Sequence, residues 1–274
     1  MLLLSRQISF SAGLRLRHPD WDLETNQRMF GRDVGPHGAE FCLRVALRGS
    51  ASLEDGMIVN LIEVKPQLAR VAGLLEDKFL DKDVFYFRAN RPTTENIASF
   101  LWQEFPRSIG DGQLHRLQLD QSRGISVEIT ANSVTHLMKV SRSYEFAAAH
   151  RLFADSLSDE DNWQRFDKCS NPAGHGHNFQ LRVWIEGLPD ENTGFIINPR
   201  LLDLVVDQEV YARFDHKHLN EDCPEFTTTG LVPTSENLAL TIFNLLQARL
   251  KIEGHKLSRI GLQETQKNYF EVEA

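Results

Sequence analysis

Two histidines separated by one residue are the strongest chemical signal in this sequence. His175 and His177 flank Gly176 at the start of a predicted strand, where residues i and i+2 point to the same face, so both imidazoles can reach one ion. A third histidine, His150, follows three alanines at the end of another predicted strand, and those small side chains leave space beside it. Three imidazoles with an open fourth position are typical of a catalytic zinc site. The sequence therefore predicts one such metal site.

Other side chains near these histidines could move protons. Cys169 lies six residues before His175 in a loop with Pro and Gly, and a neighbouring cation would lower the pKa of its thiol, which could then act as a base. A fourth zinc ligand and an inert thiol are the alternatives. Asp215 is adjacent to His216, so its carboxylate can orient and stabilise the imidazole, although such a pair is also common at solvated helix ends. Glu264 lies on a predicted strand, and alone it indicates no function.

An internal repeat determines how these residues are positioned. Four segments recur in the same order in both halves, at offsets of about 136 to 141 residues. They are residues 8–16 and 143–152, 37–45 and 175–183, 56–60 and 194–198, and 92–96 and 233–237. We therefore predict two copies of one fold, in domains 1–133 and 134–274, with the second copy catalytic and the first structural.

Each copy is predicted to run strand, strand, helix, helix, strand, strand. Asn60 and Asn198 are candidate caps for the first helix, and Thr93 and Thr234 are candidate caps for the second. Closing strands are expected at 113–121 and 125–131, and at 256–264 and 269–273. The fold class is α+β, with a four-stranded antiparallel sheet and two helices on one face of each copy. The remaining sheet surface and edges need cover, which predicts a homo-oligomer.

The composition excludes several classes of partner. There are 30 Lys and Arg against 38 Asp and Glu, a formal net charge of −8 and no long basic run, which argues against nucleic-acid binding. No stretch approaches the roughly 20 apolar residues of a membrane span, and the apolar run at the N-terminus is too short for a signal peptide. Three widely spaced cysteines indicate a reducing compartment. We expect a cytoplasmic protein with a small-molecule partner.

The second half resembles the 6-pyruvoyltetrahydropterin synthase family over nearly its whole length. The matching segments are residues 146–152, 168–179, 215–219, 233–237 and 264–265. The resemblance implies a T-fold and a zinc-dependent lyase reaction on dihydroneopterin triphosphate. It also implies roles for individual residues: zinc ligands His150, His175 and His177, general base Cys169, proton-transfer partners Asp215 and His216, pterin anchor Glu264, and weaker substrate contacts Thr234, Ser235 and Glu236.

The product and the role of the protein remain open at this stage. Cys169 lies six residues before His175, as in the 6-pyruvoyl synthases, whereas relatives that make 6-carboxytetrahydropterin for queuosine often have a spacing of four. A folate-related subgroup carries Glu in place of the cysteine. A non-enzymatic pterin-binding assembly protein is the third interpretation. Family enzymes are associated with Mg²⁺ for the triphosphate, which the sequence does not show.

The first half lacks most of these groups. The sequence comparison places Leu14, Gly31 and Ala39 opposite His150, Cys169 and His177, and it retains only His37 from the ligand set. It also places Asp77 and Lys78 opposite the Asp215 and His216 pair, and Gln121 opposite Glu264. His18 is the one conceivable replacement ligand. We therefore expect one Zn²⁺ per chain, in a homotrimer that forms a pseudo-hexamer of T-folds, with second halves in one ring and first halves in another.

Overall fold

The computed structural model describes residues 2–122, 124–131 and 137–274. It divides into two compact units. Unit 1 comprises Met1–Ser141 together with Glu186–Asn198, and unit 2 comprises Arg142–Ile185 and Pro199–Ala274. The domain boundary predicted at 133 and 134 lies outside the described residues. In the described part of the chain, no helix is long and apolar enough to span a membrane.

Unit 1 contains a four-stranded sheet in the order β1-β2-β4-β5, with a two-residue strand, β3, paired to β4. The pairs β1·β2, β2·β4 and β4·β5 are antiparallel. The elements, in chain order, are β1 Leu2–Leu14, α1 Leu23–Phe30, β2 His37–Gly49, α2 Leu61–Gly73, α3 Leu80–Asp83, α4 Tyr86–Ala89, α5 Thr94–Glu104, β3 Ser108–Ile109, β4 Gly112–Gln121 and β5 Ile125–Thr130.

Unit 2 repeats this plan in the order β6-β7-β9-β10, and a two-residue strand, β8, pairs in parallel with β6. The elements are β6 Met138–His150, whose first residues are counted with unit 1, α6 Asp159–Phe166, β7 His175–Gly187, α7 Pro199–Val206, α8 Ala212–Phe214, β8 Lys217–His218, α9 Leu219–Asp222, α10 Pro224–Thr227, α11 Ser235–Ile252, β9 Lys256–Thr265 and β10 Asn268–Glu273. One π-helical segment, Asp207–Tyr211, connects α7 and α8.

Alternating burial explains why the long strands form. Along β7, inward-facing Phe179, Leu181 and Val183 are at most 1% exposed, while the residues between them face outward or are only partly covered. The helix α11 buries Leu238, Ile242 and Leu246 at spacings of about one turn. Each sheet therefore has one face covered by helices, and the first residues of β7 remain at the edge of that core.

The predicted helix starts are largely confirmed. The side chains of Asn60, Thr93 and Thr234 accept hydrogen bonds from Ile62 N, Asn96 N and Asn237 N respectively. The closing strands also lie within one residue of their predicted positions.

One helix in each repeat is missing from the sequence prediction. In unit 2, Ser158 caps α6 by accepting a hydrogen bond from Asp161 N. Its counterpart α1 begins after Asp22, which accepts from Thr25 N. In both helices a buried asparagine ties the preceding loop to the helix: Asn26 Oδ1 accepts from His18 N, and Asn162 Oδ1 accepts from Ala154 N. Each of these helices spans only eight residues and is polar on average, so each offers few apolar positions from which a helical period can be recognised.

Candidate metal and proton-transfer site

The three predicted metal ligands converge in unit 2. His150 ends β6, and His175 and His177 begin the neighbouring strand β7. One nitrogen from each imidazole lies within 4.8 Å of the other two. This is the one group of three potential metal ligands found among the described residues. The geometry therefore agrees with the arrangement predicted from the two-residue strand period.

Unpartnered nitrogens in this group fit a metal ion. His150 Nδ1 bonds to Pro233 O at 2.8 Å, which directs its Nε2 toward the other rings. The buried atoms His150 Nε2, His175 Nδ1 and His177 Nε2 have no hydrogen-bond partner within the described residues. Burial lowers the pKa of His150, and burial followed by the proximity of His177 lowers that of His175, so both favour the neutral form that binds metals. Together these observations fit a zinc ion with an open fourth position.

Glu264 lies beside the imidazoles. Its Oε1 is 3.9 Å from His150 Nε2 and 3.8 Å from His177 Nε2. Ser235 Oγ donates to the same oxygen at 2.6 Å, and Asn268 Nδ2 donates to Oε2 at 3.0 Å. Burial raises the pKa of Glu264, but these two hydrogen bonds and the neighbouring imidazoles outweigh it and leave the pKa below its usual value. The structure thus holds an ionised carboxylate next to the metal-binding group.

Cys169 lies in a short 3-10 turn, Asp167–Ser170, before β7. Burial raises the pKa of its thiol, and the carboxylates of Glu264 and Asp167 raise it further. The protein groups therefore do not create the thiolate by themselves, and a nearby cation is needed to favour it. The loop that follows requires glycine at position 174, where φ is 66° and a Cβ would approach both His150 O and His218 Nε2 to 2.8 Å.

Asp215 and His216 form the expected pair. His216 Nδ1 lies 2.9 Å from Asp215 Oδ2, and Asp215 Oδ1 accepts a hydrogen bond from Ala147 N at 2.8 Å. Burial raises the pKa of Asp215, but the bonds from Ala147 and His216 lower it more, so its carboxylate is ionised. The His216 side chain is 82% exposed and borders a cavity of about 420 Å³ together with His177. The pair can therefore exchange protons with a molecule in this cavity.

His218, for which the sequence predicted no role, borders the same cavity. Its Nδ1 is buried and has no hydrogen-bond partner among the described residues. The spacing of two residues between His216 and His218 is the same as that between His175 and His177, and it could have indicated a shared face. However, β8 spans only two residues, which is too short to show a strand period.

The three residues at the start of α11 differ in their surroundings. Thr234 caps the helix, and Ser235 is 4% exposed and holds Glu264. Glu236 is exposed to solvent. The structure thus connects Ser235 directly to Glu264.

Backbone contacts correct the comparison of Cys169 with the first repeat. Leu152 N bonds to Cys169 O at 2.8 Å, and the equivalent Leu16 N bonds to Asp33 O at 2.7 Å, so Asp33 occupies the cysteine position and the prediction of Gly31 was wrong. The error arose because the first repeat has two fewer residues than the second between this turn and the following strand, from Asp33 to His37 compared with Cys169 to His175. Asp33 Oδ1 lies 3.7 Å from His37 Nε2.

The acid–base pair is also shifted by one residue from its predicted counterpart. Asp77 and His216 share a left-handed backbone, with φ of 56° and 55°, and both amides bond to the first strand of their repeat. Glu76 and Asp77 are therefore the counterparts of Asp215 and His216, and the predicted Asp77 and Lys78 alignment was wrong. As expected, the first repeat has no imidazole there.

Two other features of the first repeat agree with the sequence analysis. Thr94 Oγ1 donates to Gln121 Oε1 at 2.7 Å, just as Ser235 bonds to Glu264, which places Gln121 at the anchor position. His18 stacks on Trp21, with ring centroids 4.5 Å apart, and it is not part of the metal-binding group found among the described residues.

Comparisons with known proteins identify the family of this chain. The model of the 6-pyruvoyl tetrahydropterin synthase family matches residues 3–132 and again residues 139–274. A 6-pyruvoyl tetrahydrobiopterin synthase of Pongo abelii is 40% identical over 130 residues, which cover 47% of this chain and 87% of that protein. A putative 6-carboxy-5,6,7,8-tetrahydropterin synthase of Archaeoglobus fulgidus is 36% identical over 135 residues, covering 49% of this chain and 95% of that protein.

Among solved structures, the 6-pyruvoyl tetrahydropterin synthase of Caenorhabditis elegans is 33% identical to this chain, with a TM-score of 0.47. The matched region covers 50% of this chain and 96% of the C. elegans chain. The family model matches nearly the whole chain in two consecutive regions, which confirms the tandem duplication and the T-fold of both copies. This chain therefore belongs to the 6-pyruvoyl tetrahydropterin synthase family of lyases, with two copies of the family fold in one polypeptide.

Proposed function

We propose that this chain is a zinc-dependent lyase that converts 7,8-dihydroneopterin triphosphate to 6-pyruvoyl-tetrahydropterin with elimination of triphosphate. One observation carries the proposal: three buried imidazole nitrogens without partners in the described structure converge beside Glu264, and one of these imidazoles, His177, borders the same cavity as His216. A protein that only bound pterins would not need both a metal site and acid–base groups.

His150, His175 and His177 would hold the ion. A bound zinc ion would act as a Lewis acid toward the hydroxyl groups of the substrate side chain and would make their protons and the adjacent C–H protons more acidic. The pKa directions of His150 and His175 favour the neutral imidazoles that this role requires.

The chain's own residues have distinct roles in the proposed reaction. Cys169, as thiolate, accepts a proton from a side-chain carbon of the substrate, and His216, oriented by Asp215, donates or accepts protons on the cavity side. The Glu264 carboxylate accepts hydrogen bonds from N–H groups of the pterin ring, and Ser235 positions it. Thr234 and Glu236 are weaker candidate contacts. Triphosphate leaves, the side chain is oxidised and the ring is reduced within one molecule, so no external redox reagent is needed.

Product analysis tests this proposal. Purified protein is incubated with Zn²⁺ and 7,8-dihydroneopterin triphosphate, and the products are identified by mass spectrometry. We expect 6-pyruvoyl-tetrahydropterin and triphosphate from the wild type and from Cys42→Ala, a half-buried cysteine of the first repeat, but not from Cys169→Ala. Release of acetaldehyde would instead indicate the 6-carboxy product. Pterin binding without turnover would indicate a binding protein and refute the lyase proposal.

The assembly and compartment form part of the same proposal. Three chains would supply six T-folds, so a homotrimer is the economical closed assembly. A cytoplasmic location would keep the Cys169 thiol reduced. The mass of the native particle tests the first point, and microscopy of the tagged full-length protein tests the second.

A further inference from the structure

A turn is docked on a helix start within unit 1. The turn at residues 190–196, which belongs to this unit, contacts the N-terminus of α5. Thr93 Oγ1 donates to Gly194 O at 2.7 Å, and Ile196 N donates to Glu95 Oε1 at 3.1 Å. Gly194 has φ of 78°, and a Cβ there would lie 2.7 Å from Asn96 Nδ2. The contact leaves Thr93 and Glu95 only 2% and 3% exposed.

The first repeat contains the same turn at residues 52–58. Gly56 N bonds to Ser52 O at 2.9 Å, and Ser52 N bonds to Met57 O at 2.9 Å, which reproduces the two bonds that close the 190–196 turn. Gly56 also has a left-handed backbone, with φ of 73°, but a Cβ there would meet nothing within 4 Å. Leu53 is fully exposed and Met57 is 40% exposed. The 52–58 turn is therefore formed but uncovered.

The second repeat contains the matching helix start, residues 234–237. Thr234 accepts from Asn237 N at 3.3 Å, and Asn237 Nδ2 donates to Val232 O at 2.8 Å. The same two bonds, at 3.2 and 2.9 Å, are present at the start of α5. The difference is burial, because Glu236 is exposed whereas its counterpart Glu95 is buried. This helix start has the shape of the occupied one but lacks its cover.

An aromatic contact beside the docked turn gives the same comparison. In unit 1 the ring of Phe195 packs against Phe30, with centroids 5.8 Å apart, and Phe30 is 4% exposed. The equivalent residues are Met57, which is exposed, and Phe166, which is only half-buried. Trp163, on the same short helix as Phe166, is 56% exposed. An apolar surface thus adjoins the uncovered helix start.

We propose that the 52–58 turn of one chain docks on the 234–237 helix start of a second copy of this chain. In this contact Thr234 donates to Gly56 O, Ile58 N donates to the Glu236 carboxylate, and Met57 packs against Phe166. The occupant is a second copy because the 52–58 turn is the other turn of this form among the described residues and because both surfaces are uncovered within one chain.

The contact would complete the lyase site, so this inference deepens the proposed function and rests on it in that respect. Ser235, which holds Glu264 at 2.6 Å, lies between the two residues that receive the turn. The first repeat would therefore supply a wall of the pterin site of a neighbouring chain. Gly56 belongs to the first repeat and Thr234 to the second, so the contact would pair a first repeat with a second repeat of another chain, instead of the like-with-like contacts expected from the sequence.

Cross-linking tests the contact directly. Chains with Met57→Cys and chains with Phe166→Cys, carrying different tags, are coexpressed and treated with a short bis-maleimide. We expect covalent dimers that carry both tags, and none from wild type or from either variant expressed alone. Cross-linking of Met57→Cys chains to each other, oligomers without the mixed dimer, or a monomeric wild type would each overturn the proposal.

Two glycine variants provide a matched pair. Gly56 and Gly254 both have left-handed backbones, with φ of 73° and 81°, and both have open space where a Cβ would be. Because asparagine tolerates this backbone, Gly56→Asn and Gly254→Asn should fold alike. Sedimentation should show at least a tenfold weaker association for Gly56→Asn only. Equal association of both variants would refute the contact. Neither this readout nor cross-linking depends on turnover, so failure of the lyase proposal would be seen separately.

Discussion

At the residue scale, the three imidazoles determine whether the site binds metal. His150, His175 and His177 each have a buried nitrogen with no partner among the described residues, so removing one ring leaves two of the three imidazole ligands. We expect His175→Ala to weaken Zn²⁺ binding by about 100-fold or more, beyond the 10- to 100-fold effect typical of residues behind the ligands. Competition with a chelating dye measures this. His37→Ala, in the first repeat, is the control, and equal losses in both variants would contradict the assignment.

The thiol of Cys169 gives a pH-dependent prediction. Burial and two carboxylates raise its pKa, whereas a bound cation would lower it. The rate of alkylation by iodoacetamide follows the thiolate fraction, so its midpoint should lie above that of an ordinary cysteine in metal-free protein. Adding Zn²⁺ should shift the midpoint to lower pH. An unchanged midpoint, with Cys42→Ala used to isolate the signal, would show that Cys169 is too far from the ion to serve as the base.

At the element scale, the start of α5 contains a buried acid. Burial raises the pKa of Glu95 to about 7, despite hydrogen bonds that favour its charged form, including that from Ile196 N. The unfolded chain loses this proton near pH 4.5 and the folded chain only near 7, so the free energy of unfolding falls as pH rises between these values. The change amounts to at most about 3 kcal/mol, and it levels off above pH 7.

Urea unfolding at pH 5 and pH 7.5 checks this effect. Glu95→Gln keeps an oxygen that can accept from Ile196 N but removes the titration, so its stability should depend less on pH than that of the wild type. Glu24→Gln, an exposed acid in the first turn of α1, should reproduce the wild-type dependence. Parallel curves for Glu95→Gln and wild type would mean that Glu95 titrates normally.

The caps of α2 and α5 should differ in strength. Asn60 only caps its helix, through Ile62 N, whereas Thr93 both caps α5 and donates to Gly194 O. We expect Asn60→Ala to cost about 1 kcal/mol and Thr93→Ala about 2 kcal/mol, because the latter also leaves a buried carbonyl unpaired. Thr93→Ser should restore most of the loss. Urea unfolding measures all three, and equal costs for both alanine variants would show that the Gly194 contact adds nothing.

The elements also show which features the sequence could predict. Helix caps and strand periods are local, so Asn60, Thr93 and Thr234 located the main helices, and the spacing of His175 and His177 located the metal group. By contrast, no local pattern determines which residue of one repeat corresponds to which residue of the other. Asp33 was not recognised as the counterpart of Cys169 because only the hydrogen bond to Leu16 N identifies it. The roles of Glu95 and of the 190–196 turn depend on a contact between residues about 100 positions apart, which no local pattern records.

At the scale of the whole molecule, the two repeats share one fold but differ in the side chains that could bind a metal. The first repeat keeps the T-fold, the capped helix start and the Thr94 to Gln121 bond. It lacks two of the three metal-binding histidines. At the positions of His150 and His177 it has Leu14 and Ala39, which are buried apolar residues. An aliphatic side chain offers no ligand, so His37 would remain as a single imidazole, and one imidazole does not retain zinc against water.

This difference in metal-binding residues predicts the metal content of the native assembly. We expect one Zn²⁺ per chain, and therefore three in a trimer, with none in a variant in which both His175 and His177 are replaced by alanine. Native mass spectrometry reads the number of ions and the number of chains in one experiment, so a partly loaded particle is not mistaken for a smaller one. Two ions per chain would show that the first repeat binds metal through groups such as Asp33 and His37, which lie 3.7 Å apart, and would require a second active site. One ion per chain would instead assign the chemistry to the second repeat, leaving the first to act through the surfaces that it presents to neighbouring copies.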